Sequence, residues 1–69
     1  MRISYKKLWI MLLEKELTKQ QFRETLEIAP GTMTKLNKGQ DVSLATLLKI
    51  CEYFQCNIGD ICDAVPNEE

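Results

Sequence analysis

Sixty-nine residues, 45% hydrophobic and 28% charged with three glycines and two prolines, describe one small ordered domain (1–69) and exclude a low-complexity chain. A core of this size barely sustains itself, so every helix must share one centre. The net charge of −1 (pI ≈ 5.4) conceals an asymmetry: residues 1–39 carry eight Lys and Arg against four Glu, net +4, whereas residues 40–69 carry one Lys against six acids, net −5. A positive front of this kind can still be steered onto a polyanion.

In chain order, a first helix is expected to begin after Ser4 as N-cap and run to about residue 16. Tyr5, Leu8, Trp9 and Leu12 form its inner stripe, with Tyr5 and Trp9 packing as core and helix-edge aromatics. Ile10, Met11 and Leu13 widen that stripe, and the domain is expected to bury them too. The apolar run 9–13 is too short for a membrane span and lacks a small-residue cleavage site, which points to a cytoplasmic chain that does not engage a membrane. Strand signals are absent.

The stretch 18–39, TKQQFRETLEIAPGTMTKLNKG, reads as two short helices joined by a tight turn. Thr18 is an N-cap, Gln21 can complete a capping box, and Phe22 and Leu26 share one face. Pro30 opens the second helix, where its missing N–H costs nothing, and Gly39 can end it in a left-handed conformation. Phe22, Leu26, Ile28, Met33 and Leu36 mark the buried face of a helix-turn-helix. The opposite face of the second helix carries Thr32, Thr34, Lys35 and Lys38, polar and partly basic, as a surface entering a DNA major groove must be.

A polar loop then leads to Ser43, which caps a fourth helix with Val42 and Leu47 in the hydrophobic-staple relation. Leu44, Leu47, Leu48, Ile50, Cys51 and Phe54 supply its apolar periodicity. Asn57 is expected to cap a last short helix over about 58–63, with Ile58, Ile61 and Cys62 closing the core, and 64–69 to form a frayed tail.

These features resemble the Cro-like and lambda-repressor-like (XRE-type) helix-turn-helix family from about Tyr5 to Asp63, including the tail VSLATLLKICEYFQCNIGDIC. The resemblance implies an all-α, five-helix domain acting as a small stand-alone DNA-binding transcriptional regulator. It implies phosphate contacts from Lys19, where the family often has glutamine, with help from Gln20, and from Lys38. Arg23 stands where the family has a small residue, so it must snorkel outward or loosen the helix crossing, and it joins the phosphate set. Glu27 replaces the usual turn glycine. Pro30 and Gly31 occupy base-reading positions without side-chain donors, leaving Thr32, Thr34 and above all Lys35 for base contacts.

The sequence contains no histidine, no phosphate loop and no nucleophile beside a base, so no enzymatic activity and no cofactor are expected. Cys51, Cys56 and Cys62 lack the ligand number and spacing of a zinc site and are not close pairs along the chain. They read as reduced, buried thiols, with redox sensing as the alternative. The whole reads as a regulator of double-stranded DNA, a repressor by expectation and a homodimer because one recognition helix reads too few bases. The alternative is an antitoxin-like or adaptor module that keeps the fold for a protein partner.

Overall fold

The computed structural model describes residues 1–67. In chain order it contains strand β1 (Arg2–Ser4), helices α1 (Lys6–Glu14), α2 (Lys19–Leu26), α3 (Pro30–Lys38) and α4 (Leu44–Phe54), a 3-10 turn (Ile58–Asp60) and strand β2 (Asp63–Val65). Two helix starts, those of α2 and α4, are closed by side-chain caps. Thr18 Oγ1 accepts from the Gln21 amide and Gln21 Oε1 from the Thr18 amide, both at 3.0 Å, closing the capping box. Ser43 Oγ accepts from the Thr46 amide at the start of α4.

The helix ends share one device. A left-handed residue follows each helix: Glu16 (φ 57°), Glu27 (φ 55°), Gly39 (φ 71°) and Gln55 (φ 56°). Its amide donates three residues back, and the next amide donates five back. The second set of bonds is Leu17 to Leu12 (2.9 Å), Ile28 to Arg23 (2.9 Å), Gln40 to Lys35 (2.8 Å) and Cys56 to Cys51 (3.0 Å). All four are Schellman closures, which satisfy the orphan carbonyls of short helices and reverse the chain within a few residues. Only Gly39 adopts this conformation without a Cβ penalty.

The buried core draws Tyr5, Leu8 and Leu12 from α1, Phe22 and Leu26 from α2, Met33 and Leu36 from α3, and Leu47, Ile50 and Cys51 from α4, with Ile28, Ile61 and Cys62 from the connections. The Phe22 ring, fully buried, stacks on Phe54 with centroids 6.2 Å apart, tying α2 to α4. Val42 packs against this core from the N-terminal side of Ser43, as a staple does.

Several sequence expectations give way. The described residues form four α-helices, not five: Asp60 Oδ2 accepts from the Asn57 amide at 3.0 Å around a single 3-10 turn containing Gly59, and the chain then leaves for β2. Strands do occur. β1 and β2 pair antiparallel, Arg2 with Val65, Ile3 with Ala64 and Ser4 with Asp63, so part of the expected frayed tail is hydrogen-bonded sheet. Glu68 and Glu69 of that tail lie outside the described residues. Ser4 therefore ends a strand, and Tyr5 takes the N-cap position without a side-chain cap. Two three-residue strands cannot hold alone. Ile3 packs on the core, and Lys7 Nζ both donates to Gly59 O (2.9 Å) and meets Asp63 Oδ1 (3.1 Å), fastening the C-terminal segment to α1.

Four helices of 8 to 11 residues cannot cover every apolar side chain. Ile10 (45% exposed), Leu13 (77%), Leu44 (60%) and Leu48 (53%) face outward, as does Ile58, while Met11 is half-buried. Cys56 is half-buried, not buried, although all three cysteines are reduced. Among the described residues, no helix is long and apolar enough to cross a membrane.

Candidate nucleic-acid interface

The turn between α2 and α3 is only Glu27–Ala29. Left-handed Glu27 reverses the chain, Ile28 plugs into the core, and extended Ala29 delivers Pro30 to the first helical position. With Met33 and Leu36 buried, the face of α3 that carries Thr34, Lys35 and Lys38 is left exposed, and Thr32 lies at its half-buried edge.

The residues marked by the sequence are brought to this region in different states. Lys35 and Lys38 are exposed, and among the described residues neither makes an ion pair. Thr34 Oγ1 donates to Pro30 O at 3.0 Å, so its proton is engaged within the helix and only its lone pairs face outward. On α2, Lys19 is exposed but held: its Nζ donates to Asn37 Oδ1 of α3 at 2.8 Å and lies 4.2 Å from the centroid of the Trp9 ring. Gln20 Nε2 donates to Glu24 Oε2 at 3.2 Å. Arg23 is half-buried on α2.

Three further groups belong to this surface. Asn37 and Trp9 position the Lys19 ammonium across the α2–α3 pair, joining residues 18 and 10 positions apart that no local pattern connects. Arg2 and Lys6 line a shallow groove with Trp9, Asn37 and Lys38 at the C-terminal end of α3, adding two cations from the β1–α1 segment. The Tyr5 hydroxyl donates to Gln40 O at 2.8 Å, anchoring the loop that follows α3. Burial foremost, then the charges of Cys62 and Asp41, raises the Tyr5 pKa against a lowering backbone hydrogen bond, so the phenol stays protonated.

Pro30 and Gly31 lie at the front of α3, both exposed. A Cβ built on Gly31 meets nothing within 4 Å, and its φ is an ordinary one, so neither packing nor backbone conformation inside the domain requires glycine there. Ala29 provides no side-chain cap, leaving the first amides of α3 unmasked by side chains at that bare end. The arrangement is a helix edge with cations on its flank and nothing protruding at its tip.

The model of the Cro/C1-type HTH DNA-binding domain matches residues 7–67. Among solved structures, the chain is similar to that in the crystal structure of the transcriptional regulator VanUg, Form II. It is 44% identical, with a TM-score of 0.93, and the match covers 96% of this chain and 88% of that one. No curated protein sequence matches it.

Proposed function

Because the chain belongs to the Cro/C1-type helix-turn-helix DNA-binding family, we propose that it is a sequence-specific transcriptional regulator that lays α3 in the major groove, with repression as its mode. The observation that carries this reading is the exposed edge of α3, where Lys35 and Lys38 lie uncompensated by ion pairs among the described residues. A solvated basic face that neutralised its own charges would pair them with neighbouring acids, as Lys7 does with Asp63. Lys35 reads guanine O6 and N7, Thr34 accepts through its remaining lone pairs, and Thr32 contacts a base edge or methyl from the side. Lys19, Gln20, Arg23 and Lys38 contact phosphates. The Asn37 bond and the Trp9 ring hold the Lys19 ammonium in place before DNA arrives, which reduces the entropy lost on contact.

The bare tip of α3 suits close approach. At Gly31 the backbone can come against DNA with no side chain between them. The reading extends to a homodimer on a two-fold site: Met1, Leu44 and Ile58 are exposed around one apolar depression with Ile3 and Leu47, a surface a second copy can cover. The reading includes a cytoplasmic location, where such a regulator would meet its DNA. Lys35→Ala tests the base-reading role: it is expected to lose about 1–3 kcal/mol against the preferred duplex and much less against random duplex. An equal loss on both makes Lys35 a phosphate contact and removes it from readout.

A further inference from the structure

At the end of α4 the Schellman closure joins two thiols. Gln55 is left-handed, its amide donates to Glu52 O, and the Cys56 amide donates to Cys51 O at 3.0 Å. In this motif a side-chain contact between the two residues joined by the longer-range bond is frequent. At the end of α1 that pair is Leu12 and Leu17, both apolar; here it is Cys51 and Cys56. The spacing of five residues conceals in sequence what the cap brings together in space.

Backbone lengths bound the separation. An amide-to-carbonyl bond of 3.0 Å holds the two Cα atoms no farther apart than about 6.9 Å. That lies within the roughly 7 Å beyond which a disulfide cannot form without moving the backbone. Both residues line one open depression with Leu48, Glu52, Gln55 and Asp60. Cys56 is the half-buried member and meets solvent first. Cys62 is separate: its Sγ donates to Ile58 O, and it lines the depression beside Ile3 and Leu47.

We propose that Cys51 and Cys56 form a dithiol modification site, closed to an intramolecular disulfide across the cap of α4 by a low-molecular-weight disulfide. The Cys56 thiolate attacks one sulfur of the reagent R–S–S–R, forming a Cys56–S–S–R bond and expelling RS⁻. The Cys51 thiolate then attacks Cys56 Sγ, forming the Cys51–Cys56 bond and expelling the second RS⁻. The two protons lost by the cysteines end on the two departing thiolates. Two protein thiols are oxidised and the reagent disulfide is reduced to two thiols.

The site is slow at neutral pH by construction. Burial first, then Cys51 through charge and hydrogen bonding, then Asp60, push the Cys56 thiol up against an opposing effect of Lys15. Glu52 adds a further carboxylate to the lining. The first step should therefore accelerate about tenfold per pH unit up to and beyond the ordinary thiol range near 8.5.

The test incubates the reduced full chain with oxidised glutathione at neutral and alkaline pH and follows the intact mass. Cleavage at Glu52 and Asp60 separates the three thiols for mapping. The expected product is a monomer lighter by two hydrogens with Cys51 linked to Cys56, formed faster at the higher pH and equally well in C62S. C56S, at a half-buried position with its fold checked by circular dichroism, should yield no cross-link. A mixed disulfide at Cys56 that never closes, a bond to Cys62, or a disulfide-linked dimer as the main product overturns the proposal. None of these outcomes depends on DNA binding.

Discussion

Gly31→Ala should move stability and DNA affinity in opposite directions. Gly31 is exposed, its φ is ordinary, and a Cβ there meets nothing within 4 Å, so the methyl enters open space in the free protein. Alanine is favoured over glycine within a helix by roughly 0.5–1 kcal/mol, and because Gly31 lies in the first turn of α3 the lower figure applies. For a domain of this length about 0.5 kcal/mol raises Tm by roughly 2–4 °C. On DNA the same methyl stands between the tip of α3 and its target. Forcing an extra methyl into a closed contact costs about 1–3 kcal/mol, or roughly 5- to 150-fold in Kd. Thermal melts by circular dichroism and anisotropy titrations on a selected duplex measure the two effects separately. A lower Tm would refute the open-space reading, and unchanged affinity with a raised Tm would remove Gly31 from the interface.

Two further substitution pairs test the phosphate contacts and the core. Lys19→Ala and Lys38→Ala should each weaken binding to all duplexes alike and flatten the dependence of log affinity on log salt by roughly 0.9. Unaltered slopes in both contradict the proposed docking. Lys19→Ala should also cost the free protein about 0.5–1 kcal/mol through loss of the Trp9 contact, an effect that Lys38→Ala lacks. Leu47→Ala should cost about 2–5 kcal/mol, a large part of the stability of so small a domain, because Leu47 is buried in the core. Gln40→Ala should be nearly silent in a melt, because the contacts that bind Gln40 into the fold are made by its backbone amide and carbonyl.

Three of the helix starts were legible because they depend on side-chain chemistry: Thr18 with Gln21, Pro30 and Ser43 stand where the backbone needs an acceptor or tolerates a missing donor, whereas the Ser4 start failed because Ser4 ends a strand. Of the helix ends only Gly39 was legible, because Glu16, Glu27 and Gln55 hold left-handed conformations for which their side chains give no signal. The pairing of β1 with β2 spans almost the whole chain with three residues a side, too few for an alternating pattern to show. In α1 the apolar stripe was real but overstated the burial, since Ile10 and Leu13 had no second layer to face.

The interface divides in the same way. Helical spacing selected Lys35 and Lys38 and the family resemblance added Lys19, all of which are exposed on α2 and α3. They could not show that Thr34 bonds back to Pro30, that Gln20 is engaged by Glu24, or that Lys19 is gripped by Trp9 and Asn37. Nor could they show that Cys51 and Cys56 are joined by a backbone bond, because that bond is made by the same hidden cap.

Selection from randomised duplexes at fixed salt, followed by sequencing of what the full chain retains, tests the claim that α3 reads DNA most directly. The expected result is an enriched two-fold-symmetric motif with half-sites about one helical turn apart, roughly 34–36 Å. The motif should lose its preference at one base pair per half-site when Lys35 is replaced by alanine. Recovery of no enriched motif, with retention that fades uniformly as salt rises, contradicts sequence-specific regulation and turns the fold toward an adaptor that holds a protein partner.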